Sequence, residues 1–170
     1  MKATVRQNEQ MQIRDASNKD QTALHEMWQQ FMTELHGGRT PTTEETDLWE
    51  TRLQSQIRRK QVVVADDGQR IQGFAGFIDH ADRPFVPSTV ALIVDLYVAP
   101  PFRKREIGAT LLHHITQRAM QNGCEKAWTN TEEWNQPAQR CLTTSGFDTL
   151  NGFELPGLKG QRYYRMDLKR

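Results

Sequence analysis

The run VALIVDLYVAPPFRKREIGATLL, Val90 to Leu112, constrains the fold more than any other part of this chain, because it joins an apolar strand to a helix through a short basic turn. Val90 to Val98 is apolar and β-branched enough for a buried strand. Pro100 and Pro101 end it, since proline donates nothing to a sheet ladder. A helix is expected over residues 103–122, with its first turn near Arg103 to Gly108. Ile107, Leu111, Ile115 and Ala119 form one apolar stripe, Leu112 and Met120 lie beside it, and Asn122-Gly123 closes it. Residues 124–130 then read as a strand. A strand reached through a helical crossover pairs parallel with its predecessor, so the rest of the chain must be built round a strand–helix–strand unit.

The turn between strand and helix has the chemistry of an anion site. Helix-opening N–H groups lack internal partners, and the positive end of the helix dipole points the same way. Gly108 allows close approach to the backbone, and Arg103, Lys104 and Arg105 add positive charge. A solvated basic turn following a core strand is the alternative reading of the same residues.

The flanking segments supply more of a mixed sheet. A short strand near residues 11–15 leads to Ser17, a good N-cap, and to a helix with Ala23, Leu24, Met27, Trp28, Phe31 and Leu35 at helical spacing, stopped by Gly37 and Gly38. Leu48, Trp49, Leu53 and Ile57 mark a second helix. Its first turns carry Glu44, Glu45, Asp47 and Glu50, which suit a helix N-terminus and would also attract a cationic amine. Residues 61–65 and 71–79 read as a hairpin turned at Asp66-Asp67-Gly68. A short helix over 136–145 is opened by Asn135 and Pro137 and stopped by Gly146. Strands over 147–153 and 161–168, round a loop from 154 to 160, complete an antiparallel end of the sheet. The fold class is α/β.

A length of 170 residues suits one domain: a flexible extension over residues 1–10 and a folded domain over 11–170. With 22 basic and 21 acidic residues the formal net charge is +1, which provides no broad electrostatic footprint for nucleic acid. No span reaches the length of a membrane helix, the start lacks a secretory apolar core, and two cysteines are too few for a disulfide framework. A cytoplasmic protein with no nucleic-acid or membrane partner is the expectation.

Two blocks resemble the GNAT superfamily of N-acetyltransferases. Arg103 and Gly108 match the ends of its acyl-CoA motif, and Asn135, Ala138, Gly146 and Phe147 match a later motif in which Asn and Ala open a helix ending in Gly-Phe. The resemblance implies a single-domain fold with a mixed sheet of six to seven strands and about four helices, in which two parallel central strands splay apart. It implies acetyl-CoA as co-substrate. Its pyrophosphate would lie on Arg103, Lys104, Arg105, Glu106, Ile107, Gly108 and Ala109, its pantetheine along Leu96, Tyr97 and Val98, and its thiol arm near Asn135. The acceptor would be an amine on a small molecule or a protein or peptide, and the family also forms homodimers. Two positions depart from the pattern. Glu106 stands where the family usually has its first glycine, and Leu142 where many members carry a tyrosine thought to protonate the departing thiolate.

The candidate chemistry is N-acetyl transfer by direct attack in a ternary complex, with a non-catalytic CoA-binding or regulatory domain as the alternative. Asp95 interrupts an apolar strand, and its carboxylate either takes the amine's proton or is a structural aspartate bonded to backbone or to an arginine. Tyr97 shares its strand face. It either supplies a hydroxyl to the site or packs its ring on a helix. Cys141 and Cys124 read as core, Trp134 as a stacking surface or a plug, and Asp79, His80 and Asp82 as a polar turn; no metal site is expected.

Overall fold

The computed structural model describes residues 10–152 and 159–168. Residues 1–9, which hold nearly all of the expected extension, and 153–158, which hold most of the last loop, lie outside the described residues. The described chain forms one mixed sheet of seven strands in the order β1-β2-β3-β4-β5-β7-β6, with four α-helices. In chain order these are β1 (Gln12–Asp15), α1 (Gln21–Leu35), α2 (Thr43–Arg58), β2 (Val62–Asp66), β3 (Ile71–Ile78), β4 (Val90–Val98), α3 (Ile107–Gln121), β5 (Lys126–Glu132), α4 (Gln136–Thr144), β6 (Asp148–Thr149) and β7 (Gln161–Asp167).

Strand alternation sorts the side chains into two layers. Val63 and Ala65 of β2 join Ala75 and Phe77 of β3, Ala91 and Ile93 of β4 and the α3 stripe Ile107, Leu111, Ile115 and Ala119 on one face. Val62, Val64 and Phe74 face the other way, against Leu24, Met27 and Trp28 of α1 and Trp49 and Leu53 of α2. Close approach of β3 to β4 depends on Gly73, where an added Cβ would lie 2.6 Å from the Tyr97 carbonyl oxygen.

Two irregularities in β4 position the site. Gly76 pairs with Asp95 but Phe77 with Ile93, so Val94 is an extra residue in a β-bulge. The bulge turns Val94 and Asp95 toward α2, while Ile93 and Leu96 on either side pack against the α3 layer. Pairing of β4 with β5 is parallel and covers only Val90–Leu92 against Lys126–Trp128. Beyond it the strands part, although both continue.

The structure moves several sequence-based boundaries. The helix expected from 103 begins at Ile107, because Lys104 and Glu106 take left-handed backbone angles, with φ of 64° and 62°. The strand expected at 124–130 is Lys126–Glu132: the Cys124 N–H still bonds to Ala119 O as part of the helix end, and β7 holds the far end to Glu132. Of the strand expected over 147–153, Asp148–Thr149 alone is regular among the described residues, and residue 153 lies outside them. Leu48, placed on the apolar stripe of α2, is exposed.

Candidate active site

After β4 the chain makes a short turn over Pro100–Phe102 and an exposed loop, and α3 then opens beside the end of the strand. The first backbone bond into α3 runs from Thr110 N to Glu106 O. The N–H groups of Ile107, Gly108 and Ala109 are therefore those a helix leaves without internal partners, and the Glu106 side chain does not cap them. Gly108 has an ordinary helical φ, and an added Cβ would meet Cys141 Sγ at 3.6 Å and Val98 Cγ2 at 3.8 Å, both normal contacts. Nothing inside the protein demands glycine there, whereas a ligand lying on the helix end would.

A cavity of about 670 Å³ opens over this helix end. It collects Leu96, Tyr97 and Val98 from β4, Arg103, Lys104, Glu106, Ile107, Gly108 and Ala109 from the turn, and Asn135 from the start of α4. Arg105 is not among its lining residues, and its guanidinium lies over the Phe102 ring instead. Arg103 is heavily engaged: Nε donates to Val98 O at 2.9 Å, Nη2 donates to Glu34 Oε2 at 2.8 Å, and the guanidinium lies 5.3 Å from the Tyr97 ring centre. The Tyr97 hydroxyl donates to the other Glu34 oxygen at 2.7 Å, and its ring stacks on Phe31 of α1. Burial, reinforced by Glu34, pushes this phenol above its ordinary pKa. The Asn135 side chain caps α4 by accepting from Ala138 N at 3.3 Å.

Where β4 and β5 part, a second cavity of about 170 Å³ lies between Ile93–Leu96 and Thr129–Glu132, with Leu142 in its wall. A third, of about 350 Å³, lies on the far side of the sheet, lined by Trp28, Met32, Trp49, Arg52, Val94 and Asp95 among others. Leu96, Asn135 and Ala138 belong to the first and second cavities, and Met32, Val94 and Asp95 to the second and third. The three adjoin one another in a row past the parted strands.

Asp95 stands at the junction. It is 5% exposed, and Arg52 Nη2 donates to its Oδ2 at 2.8 Å. Burial pushes the carboxyl above its ordinary pKa, Arg52 pulls it back, and the Trp49 indole contributes a weaker pull in the same direction. Asp95 and Tyr97 share a strand face but not a cavity, since the Tyr97 hydroxyl turns to Glu34. Cys141 lines the first cavity, its thiol pushed up by burial. Two of the four acids at the start of α2 are partnered: Glu45 with Arg39 and the Thr42 N–H, Glu50 with His25. Asp79 and Asp82 are held by Arg59, and among the described residues no cluster of His, Cys, Asp or Glu is arranged to hold a metal.

Residues 22–147 match the acetyltransferase (GNAT) family. The chain belongs to the GNAT family of acetyltransferases. No curated protein matches the sequence of this GNAT chain. Its fold is shared with yncA from Salmonella typhimurium, solved with acetyl-CoA, at a TM-score of 0.76 and 21% identity over 95% of both chains. A ribosomal-protein-alanine N-acetyltransferase from Brucella melitensis superposes at 0.74 and 21% identity over 92% of this chain and 99% of that one. The PaiA N-acetyltransferase from Thermoplasma acidophilum, in complex with coenzyme A, superposes at 0.71 and 16% identity over 93% and 99%.

The GNAT site also contains residues that sequence reasoning did not single out. Glu34 extends the α1 stripe one helical step beyond Phe31, a spacing visible in the sequence although its polar partners are not. Arg140 reaches the first cavity from α4 and Arg52 reaches Asp95 from α2, and no local pattern marks either. Among the described residues, no helix is long and apolar enough to cross a membrane.

Proposed function

We propose that this chain is an acetyl-CoA-dependent N-acetyltransferase that acetylates a primary amine by direct attack in a ternary complex. The observation that carries this reading is the row of adjoining cavities: the open N-terminal end of α3 lies at one end, a buried carboxylate lies beyond the parted strands, and a separate cavity opens past that carboxylate. Two substrates entering from opposite sides of the sheet would meet beside Asp95.

In this reading Ile107, Gly108 and Ala109 offer N–H groups to a pyrophosphate, supported by the charges of Arg103 and Lys104. Glu106, exposed and lining the same cavity, is the acid that would stand beside that pyrophosphate. The β4 edge at Leu96 to Val98, free of β5, offers main-chain groups to a pantetheine arm, and Asn135 lies beside its far end. Bound acetyl-CoA supplies an acetyl thioester, whose carbonyl carbon gains the amine nitrogen as the C–S bond breaks, the thiolate taking up a proton in place of the one the amine sheds. Asp95 accepts the proton from the amine, directly or through water, and its upward pKa shift makes it a stronger base than an ordinary carboxylate. Tyr97 keeps Glu34 and Arg103 in place. Leu142 leaves no acid at the family's usual position, which direct thiolate release tolerates. The work is expected in the cytoplasm, where acetyl-CoA is available.

The test is amine-dependent release of free thiol from acetyl-CoA, followed with a thiol reagent over a panel of amines. Intersecting double-reciprocal plots are expected, as for a ternary complex; parallel plots would point to a covalent relay. Tight CoA binding without turnover on any amine would favour the non-catalytic CoA-binding reading.

A further inference from the structure

We infer that the acceptor is a small amine that also carries a carboxylate and an apolar body, with Arg83 as the residue that selects for the carboxylate. The inference rests on the transferase reading above and names its acceptor class. It comes from the charge balance of the third cavity, on the α2 side of Asp95.

Five titratable or permanently charged side chains line that cavity: His36, Glu45, Arg52, Arg83 and Asp95. Both acids are already neutralised. Glu45 accepts from both terminal nitrogens of Arg39 and from the Thr42 N–H, contacts that hold its carboxyl down to about 2. Asp95 accepts from Arg52. One cation, Arg83, is not neutralised in turn. Arg83 makes no ion pair among the described residues; its Nη1 donates to the Asp82 carbonyl oxygen at 3.1 Å. Arg52 places one nitrogen on Asp95, while its Nε is buried and has no hydrogen-bond partner among the described residues. His36 adds no negative charge, and its ring faces Arg39.

With Arg83 as the one charge in its wall left without an ionic partner, the cavity favours an anion over a polyamine. Its remaining wall is apolar. Trp49 lies flat against Trp28, with ring centres 4.7 Å apart and planes within 12°, and Met32, Val94 and Leu48 complete it. Leu48 is 67% exposed, so its apolar surface is open to an occupant of the cavity. An occupant with an aliphatic or aromatic body gives that side chain a partner. The volume of about 350 Å³ is at the low end for small-molecule sites, which span roughly 300–1,000 Å³. An amino-acid-sized molecule fits this description. It would carry its amine to Asp95 and its carboxylate to Arg83.

Matched acceptors test the inference: phenylalanine against phenethylamine, leucine against 3-methylbutylamine, 6-aminohexanoate against hexylamine, and spermidine as the polycation. Initial rates with acetyl-CoA are measured beside calorimetric binding of each amine to the protein saturated with CoA. At least one carboxylated member is expected to exceed its partner tenfold in kcat/KM and in affinity. Arg83→Gln should lower kcat/KM for that amine at least tenfold more than for its partner, and Arg83→Glu should reverse the preference. Arg83 is exposed, so both variants should fold, and their melting curves check it. Equal or better turnover of the decarboxylated amines or of spermidine overturns the inference while leaving the transferase reading intact. Carboxylate-selective binding that depends on Arg83 but releases no thiol supports it and sinks the transferase reading. Absence of both binding and turnover for every carboxylated amine overturns it.

Discussion

Arg52 of α2 donates to Asp95 of β4 at 2.8 Å, so the one acidic side chain at the meeting point of two cavities is tied to the helix that walls the third. The pair is nearly buried on the aspartate side and about a quarter exposed on the arginine side. If Asp95 takes the amine's proton, Asp95→Asn should lower kcat/KM by about 10²- to 10⁴-fold with CoA affinity nearly unchanged. The base acts ionised, so kcat/KM should rise with pH through a limb above the ordinary carboxylate range, because burial raises the folded pKa. Arg52→Met removes the group that pulls it down, which should move the limb to still higher pH and cost about 3 kcal/mol of stability, the low end for a broken buried pair. A pH–rate profile and a denaturant melt check both effects. Should Asp95→Asn melt earlier yet turn over normally while folded, Asp95 leaves the mechanism and ordered water replaces it.

Arg103 is shared between Glu34, Val98 O and the Tyr97 face. Both members of the Arg103–Glu34 pair are 43% exposed, so the pair contributes little to stability. Arg103→Ala should weaken CoA binding by about tenfold, the value of one charge-assisted contact of modest strength. Glu34→Gln, which releases the guanidinium, should leave that affinity unchanged or tighten it. Calorimetric titration with CoA separates these outcomes, and a weaker Glu34→Gln complex would show that Glu34 itself helps to hold the ligand.

Glu106 occupies a left-handed backbone position, φ 62°, that suits glycine. For a side-chain-bearing residue this conformation costs about 1 kcal/mol. Glu106→Gly should therefore raise the melting temperature by about 2–4 °C, less whatever the added unfolded-state entropy of glycine takes back. It should also tighten CoA binding or leave it unchanged, since a negative charge beside phosphate is removed. Marked loss of affinity would mean that Glu106 contributes to binding.

Gly108 offers a contrast between fold and ligand. The space around its Cβ position accepts a methyl group, so Gly108→Ala should fold at least as stably as the parent, alanine being the better helix former by about 1 kcal/mol. Gly108→Glu places a carboxylate over the helix end and should weaken CoA binding more than tenfold. Equal affinities for parent and Gly108→Glu would remove the pyrophosphate from this turn.

Gly73 is demanded by packing alone. A Cβ there would lie 2.6 Å from the Tyr97 carbonyl oxygen, and backbone cannot yield cheaply. Gly73→Ala should cost about 1–3 kcal/mol, as overpacking does elsewhere, and shift β4 enough to lower CoA affinity as well. A melting temperature equal to that of the parent would show that β3 and β4 separate more easily than their pairing suggests.

The sequence by itself determined the elements whose causes are local. The α3 stripe, the stops at Gly37-Gly38 and Gly146 and the Asp66–Gly68 turn follow from periodicity and capping within a dozen or so residues, and the parallel crossover from the helical connection over residues 99–125. The basic turn proposed to hold pyrophosphate was legible as a strand-to-helix junction for the same reason, although the start of α3 at Ile107 was not, because Glu106 and Lys104 hide left-handed angles behind ordinary side chains. Only the tertiary structure decided the partners. Asp95 finds Arg52 across 43 residues, Tyr97 finds Glu34 across 63 and Arg103 finds it across 69. No spacing rule operates over such distances. The bulge at Val94 turns Asp95 toward α2, and packing of α1 and α2 on that face determines which side chain stands opposite; both depend on how the whole sheet buries its apolar surface, which no single segment contains.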